Sequence, residues 1–250
     1  STKIDPIDDI DTINLELQLS DLESLNNKKA SLEKKLKAND KDSKNQYELI
    51  EKILYNLEKG ININISEFKS YEKNYINQLN LISLKPTMYI CNVDENSIKT
   101  GNILSDKVIE FAKKNNNSVV LVSASIEAQI SELENEEEKL EFLNELDLEE
   151  TTLNKLIKSG YELLNLINYF TCGPKETRSW TINNNTLAPQ AAGKIHTDFE
   201  KGFIRAETVS YDDYINNNGD IGSREAGKLR QEGKDYIVKD GDIMNFLFNV

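Results

Sequence analysis

This 250-residue chain has one histidine and two cysteines, and that shortage removes whole classes of chemistry. Cys91 and Cys172 make no disulfide framework, so a reducing cytosol is the expected setting. One histidine and two distant cysteines do not build a typical zinc site, and no metal ligands are assigned within the chain. No G-x-x-x-x-G-K-[ST] segment occurs: Gly193-Lys194 is followed by Ile195 and lacks the upstream glycine. There is no nucleophile elbow, so no catalytic residue is assigned. No apolar run approaches the roughly 18 residues of a membrane span. The opening STKIDPIDDID has neither the basic nor the apolar part of a signal peptide.

Positive charge is also scarce. The net charge of −13 argues against a protein coated for duplex DNA. The deficit is uneven: residues 170–250 hold 10 basic and 12 acidic residues, leaving 20 and 31 in 1–169. Local basic patches can therefore survive in the C-terminal part. Apolar content of 38% and charge of 29% fit a chain with a modest core.

What is present reads as helices first. Asp5-Pro6 with Asp8, Asp9 and Asp11 is an acidic helix start, favourable at the positive end of the helix dipole. Leu15, Leu19, Leu22, Leu32 and Leu36 form an interrupted stripe, residues 39–43 break it, and Ile50, Ile53, Leu54 and Leu57 resume helical spacing. Lys59 and Gly60 close the second helix. Residues 5–59 are thus expected to be a helical hairpin, an antiparallel coiled-coil arm. A further helix spans 67–81. Residues 87–93 and 118–123 read as buried strands, with helices at 103–114, 125–146 and 150–166. Strand–helix alternation implies a parallel sheet with helices on its faces, and two strands are too few for one. After Tyr169 the pattern changes. Strands are expected at 177–182, 203–209, 235–238 and 243–250, the last two joined around Asp240-Gly241, with a helix at 188–200. That suggests a small α+β unit of β-grasp type.

Chemistry-bearing residues are few. His196 lies beside Asp198 and Glu200, a setting more typical of a surface or capping residue than of a general base. Asn92-Val93-Asp94-Glu95 directly follows one buried strand, and Ser123-Ala124-Ser125 follows the next. Ligands of open α/β sheets sit at the carboxyl ends of strands. Guanine sites place an Asn-Lys-x-Asp there, whose carboxylate accepts from the base N1–H. Adenine has no N1–H, and here the Lys is absent and Glu95 stands fourth.

NVDE, VSASIEAQISEL, GYELLNLINYFTCGPKETRSWTI, APQAAGKIHTDFEKGFIRAETVSYDDY and GKDYIVKDGDIMNFLFNV closely resemble the YchF family of Obg-like ATPases. The resemblance covers essentially the whole chain and is most specific over 160–250. It implies a P-loop ATPase carrying a helical-arm insertion and ending in a TGS domain of β-grasp type, similar to translational GTPases but preferring ATP, cytoplasmic and associated with the ribosome, in particular its large subunit. The implied fold is α/β plus α+β, divided into an arm at 1–65, the C-terminal part of the nucleotide-binding domain at 66–166, and the TGS domain at 167–250. The family's base-recognition N-x-x-E falls on Asn92 and Glu95, with Val93 offering its backbone to adenine and Ser123 and Ala124 in the adjacent loop. Asn92 has a donor and an acceptor for the adenine N7/N6 edge.

The family's P-loop, switch segments and D-x-x-G segment have no counterpart here. On the resemblance they lie upstream of Ser1, with the Mg²⁺ ligands and the family's catalytic histidine. The chain then reads as the C-terminal two-thirds of such a protein, and on its own it is expected to be inactive toward ATP. The Cys172-Gly173-Pro174 turn departs from commoner residues, with an inert cysteine expected. Two other readings compete. One is a non-catalytic ribosome- or RNA-binding module using the arm and the C-terminal unit, with Lys194, His196, Lys201, Arg205, Arg224, Lys228 and Arg230 as contacts. The other is an α+β protein in which N-x-x-E is accidental. No DNA or membrane partner is expected.

Overall fold

The computed structural model describes residues 4–36, 41–61, 63, 65–173 and 175–249. The chain divides into two compact units, Ser1–Phe142 and Leu143–Val250, and each forms its own core. No described helix is long and apolar enough to cross a membrane.

The first unit opens with α1 (Pro6–Leu36) and α2 (Lys41–Glu58), an antiparallel pair. At 1.5 Å per residue α1 is about 46 Å long. The pair is closed on one side by a 3₁₀ turn (Ile65–Glu67) and α3 (Ser70–Leu79); Phe68, between them, and Ile76 of α3 join Leu25, Leu32, Ile50, Ile53 and Leu57 in one buried cluster. The stripe expected on α1 is corrected here. Leu15 and Leu19 are 55% and 50% exposed, whereas Leu25, absent from the expected stripe, is 1% exposed. Residues 22, 25, 29, 32 and 36 recur at alternating intervals of three and four, the spacing that keeps one seam against a partner helix. Leu19 falls off that seam, and Leu15 lies on its continuation but beyond the end of α2, since the pairs Lys29–Glu51 and Glu33–Tyr47 set Leu22 level with Glu58. The break expected at 39–43 is shorter than it looked: α2 already begins at Lys41, and 39–40 lie outside the described residues. Asp21, 3% exposed on α1, anchors the chain after α3. Its carboxylate accepts from the Ile82 and Ser83 N–H groups at 2.9 and 2.8 Å and from Ser83 Oγ at 2.6 Å.

The remaining elements of this unit are β1 (Met88–Asn92), α4 (Ile103–Lys114), β2 (Ser118–Val122), α5 (Ala124–Glu132) and most of α6 (Glu136–Glu145), whose residues from Leu143 on count with the second unit. β1 and β2 pair in parallel with Asn92 opposite Val122, and form a two-stranded sheet. α4 is capped by Asn102, whose Oδ1 accepts from the Leu104 and Ser105 N–H groups. The single helix expected at 125–146 is two. Leu133 takes an extended backbone, and Asn135 Oδ1 accepts from the Glu138 N–H at 2.8 Å to cap a new helix.

The second unit comprises α7 (Thr152–Leu163), β3 (Leu166–Cys172), β4 (Thr177–Asn183), α8 (Ala188–Ile195), α9 (Thr197–Lys201), β5 (Phe203–Ser210), α10 (Tyr211–Asn216), α11 (Asp220–Glu225), β6 (Arg230–Glu232) and β7 (Asp242–Phe248). Its sheet order is β4-β3-β7-β5-β6, with β3 and β7 parallel and the other neighbours antiparallel. Helix α8 lays Ala188, Ala191 and Ala192 against Tyr169, Phe203, Ala206, Met244 and Phe246. Three small residues let the helix approach closely, and the buried Tyr169 donates its hydroxyl to the Ala191 carbonyl at 2.8 Å.

Several expectations are corrected in this unit. The helix expected to 166 stops at Leu163: Asn165 takes a positive φ of 53° and Leu166 starts a strand. The helix expected over 188–200 breaks at His196, whose backbone is extended and whose Nδ1 accepts from the Asp198 N–H at 3.2 Å, starting α9. Residues 235–238 form no strand. Ile237 makes one isolated bridge to Leu187, and Val238 N–H goes to the Thr186 carbonyl, so the segment crosses to the start of α8 rather than making a hairpin with β7. The turn at Asp240-Gly241 exists and binds β3 instead: Asp240 Oδ1 accepts from the Asn168 N–H, and Gly241, at φ 77°, donates to the Asn168 carbonyl. Gly202 has no room for a side chain, because a Cβ there would meet the Asn249 carbonyl. A regular apolar face of Met244, Phe246, Phe248 and Val250, expected along 243–250, is only partly formed: Met244 and Phe246 are buried, Phe248 is 37% exposed, Ile243 of the opposite set is also buried, and Val250 lies outside the described residues.

Candidate functional site

The parallel register of β1 and β2 leaves the two strands level at their carboxyl ends. The residues that follow, Val93 and Ser123, therefore emerge side by side. Val93 N–H donates to the Val122 carbonyl at 2.8 Å, extending the ladder one step past β1. Asn92 Oδ1 then accepts from the Ala124 N–H at 3.1 Å, joining the end of one strand to the first turn of α5. Ser123 is fully buried beneath this link, and its hydroxyl lies 3.0 Å from Ser125 Oγ. Glu95 begins a short 3₁₀ turn (Glu95–Ser97), and its Oε1 accepts from Gln129 Nε2 on α5 at 2.9 Å. The intervening Asp94 turns away to cap that 3₁₀ turn through the Ser97 N–H and Oγ.

All five residues expected at a base site, Asn92, Val93, Glu95, Ser123 and Ala124, are thus brought to one patch. Asn92 and Ala124 are exposed there, with Val93 buried. A cavity of about 290 Å³ adjoins it, reached along Tyr89, Cys91, Asn92 and Val93 on one side and Asn102 and Val108 on the other. Burial in this region pushes the Cys91 thiol above its ordinary value. Sequence reasoning missed Gln129. It lies four residues after Ser125, which places both on one face of α5, and that spacing was the available signal. Among the described residues no group of three metal-ligating side chains comes together.

The seven residues expected to contact a partner all lie in the second unit, and the structure divides them. Arg224 pairs with Glu207 at 3.4 Å, Lys228 with Asp213 at 3.3 Å, and Arg230 with Asp242 and Glu232 at 3.4 Å each. Asp242 is buried and also accepts from the Tyr236 hydroxyl at 2.7 Å and the Lys239 N–H at 2.9 Å. Burial first, and this bond to Asp242 second, push the Tyr236 phenol well above its ordinary value. His196 Nδ1 sits 3.4 Å from Asp198 Oδ2 and caps α9. Lys194, Lys201 and Arg205 are exposed and have no ion-pair partner among the described residues.

Comparison with known proteins follows this division. The family model YchF-GTPase_C, described as a protein of unknown function (DUF933), matches residues 166–249. The ribosome-binding ATPase YchF of Escherichia coli O157:H7 is 52% identical over 250 residues, covering 100% of this chain and 68% of that protein. This chain belongs to the YchF family. The ribosome-binding ATPase YchF of Bacillus subtilis (strain 168) is 44% identical over 252 residues and covers 69% of that relative. The solved YchF GTPase of Schizosaccharomyces pombe superimposes with a TM-score of 0.82 at 34% identity, over 99% of this chain and 67% of that one. The mixed α/β architecture is therefore that of YchF structures, and the second unit carries the family's C-terminal domain.

Proposed function

We propose that this chain is part of a YchF-type ATPase, and that the carboxyl ends of β1 and β2 read the base of its nucleotide. The observation that carries this is the bond from Val93 N–H to the Val122 carbonyl at 2.8 Å. With its N–H spent, the backbone of Val93 has only a carbonyl to offer a base. Adenine presents an amino group at its 6-position and guanine an oxygen, so a carbonyl there attracts one and repels the other. Asn92 Oδ1 is likewise spent on Ala124. Its Nδ2 remains as a donor to N7, which both purines share. Asn92 then recognises a purine and Val93 chooses between them. Gln129 braces the Glu95 carboxylate against α5, and adenine N1, an acceptor, offers that carboxylate no donor.

A lost base contact of this kind is worth about 1–3 kcal/mol, or roughly 10–100-fold in affinity. The test is displacement of a fluorescent ATP analogue from the purified chain. ATP is expected to displace it at a concentration at least about tenfold below GTP, and Asn92→Ala to weaken both nucleotides. Equal displacement by ATP and GTP would refute the reading. Phosphate and Mg²⁺ chemistry is not assigned to these residues, which bring no metal cluster together among those described. The chain alone is expected to release no phosphate from ATP above background, and turnover would overturn that part.

The unpaired Lys194, Lys201 and Arg205 support a second reading, a ribosome- or RNA-binding module. The relatives' name pairs ribosome binding with ATPase activity, so the two readings are separable. Cosedimentation with ribosomes or large subunits that responds to ATP favours the first, and indifference to nucleotide the second. Either role places the chain in the cytoplasm. The antiparallel α1–α2 pair supports a coiled-coil arm at 1–65. The sheet, with its first and last long strands parallel at the centre and α8 across one face, supports a β-grasp TGS domain at 167–250, leaving 66–166 to the nucleotide-binding part.

A further inference from the structure

At the root of the helical pair, α1, the end of α2, the 82–89 segment and the end of α4 enclose a cavity of about 360 Å³. That is within the range of small-molecule sites. Leu17, Leu57, Ile82 and Phe111 line it with apolar surface, and Tyr89 meets Phe111 edge-on at 6.0 Å. Asn14 and Gln18, one helical turn apart on α1, line it together with Lys85 and Asn117. None of these four side chains makes a hydrogen bond or ion pair among the described residues. No Asp or Glu lines the cavity, in a chain that holds 43 acidic residues. Asp21, which binds the Ile82 and Ser83 of the lining, has both oxygens occupied by them. The lining thus combines one ammonium, four carboxamides, of which Asn115 already donates to the Phe111 carbonyl at 2.9 Å, and an apolar floor, without a competing carboxylate.

We propose that this cavity binds a small organic anion, one carboxylate or phosphate carried on a planar apolar body. Lys85 supplies the charge, the carboxamides of Asn14, Gln18 and Asn117 donate N–H groups, and Leu17 and Phe111 receive the ring. Such a ligand touches the helical pair through α1 and α2 and the α/β part through β1 and α4. It therefore tightens the joint between them, independently of the base site at the opposite end of β1.

The test uses two probes of one shape and opposite charge, indole-3-acetate and tryptamine, titrated into the ¹⁵N-labelled chain. Indole-3-acetate is expected to shift the backbone amides of residues 82–85 and 87–89 and of Gln18 and Asn117, while tryptamine at the same concentration leaves them in place. Lys85→Ala is expected to weaken the anion about tenfold, the loss of one charge-assisted hydrogen bond. Lys85→Arg is expected to keep most of the affinity, and the far-UV circular dichroism of both variants to match the parent. Equal shifts from the two probes, shifts confined to another region, no shift from either, or full binding by the folded Lys85→Ala chain would each overturn the proposal.

Discussion

Removing the Asp21 carboxylate is the sharpest probe of how the first unit is held. The side chain is 3% exposed and takes three hydrogen bonds from one short segment, two of them from the backbone N–H groups of Ile82 and Ser83. Each bond to a charged acceptor contributes about 1.5–3 kcal/mol. Two corrections lower the sum. The Ser83 hydroxyl can rotate to another partner, and Asp21→Ala also relieves the desolvation of a buried carboxylate. About 3 kcal/mol of destabilisation is the result for Asp21→Ala, mostly from the two stranded N–H groups. Asp21→Asn keeps one acceptor and turns a donor toward the other N–H, for about 2 kcal/mol.

Urea unfolding measures this directly. At a slope of about 2 kcal/mol per M, Asp21→Ala should lower the midpoint by about 1.5 M. Circular dichroism at 222 nm follows the helices of the first unit. Trp180, the chain's single tryptophan, follows the second by fluorescence and distinguishes a local loss from a general one. Ser83→Ala removes only the hydroxyl donor, about 1 kcal/mol, and its effect should shrink when Asp21 is already alanine. A midpoint for Asp21→Ala within about 0.3 M of the parent, or full additivity with Ser83→Ala, would refute the assignment.

Two further outcomes concern the second unit. Tyr169→Phe removes the hydroxyl that meets the Ala191 carbonyl at 2.8 Å while keeping the edge-on contact with Phe246 at 5.8 Å, so the Trp180 transition should lose about 1–2 kcal/mol, and no loss would show the bond to be idle. Asp213 is held below its ordinary value of 3.8 by the Ser210 hydroxyl first and by Lys228. A lowered carboxylate stabilises the fold above its unfolded value and loses that contribution as pH falls through the folded one. Asp213→Asn should therefore unfold more easily than the parent at neutral pH and converge with it in acid below 3.8, and a constant difference across that window would count against the assignment.

The sequence exposed some of this and concealed the rest for identifiable reasons. β1, β2 and α4 were legible because a short apolar run flanked by polar turns, or an apolar stripe at helical spacing, has few alternatives. β3 was not, since the amphipathic pattern of α7 runs straight into LINYFTC, and the boundary is carried by one backbone angle at Asn165. The seam of α1 was misread because leucine is present on two faces. Leu19 sits on the second face, and Leu15 is left exposed because α2 ends at Glu58, level with Leu22, which the α1 sequence does not encode. Asn92 and Ser123 were legible by position at strand ends. That Asn92 reaches Ala124, and that Gln129 braces Glu95, depends on how α5 leaves β2, which no local pattern encodes. Ion pairs were equally hidden. Seven charged or polar residues of the second unit looked alike in sequence, and three of them have acidic partners brought from other strands and helices.

The proposed base site shows why a motif alone is a weak specificity argument. An N-x-x-E says which side chains are available, but the proposed choice between adenine and guanine rests on a backbone atom. Parallel pairing of β1 and β2 continues one residue past the strand and takes up the Val93 N–H. The carbonyl left over is an acceptor whatever side chain position 93 carries. The Val93 side chain is 8% exposed and is held by packing. Truncating it bears on stability, by about 1 kcal/mol or somewhat more, while leaving the acceptor in place. Selectivity on this reading belongs to the register of the sheet, and purine affinity to Asn92. Glu95→Gln should therefore leave the preference between ATP and GTP in place, which a specificity carried by the Glu95 carboxylate would not allow.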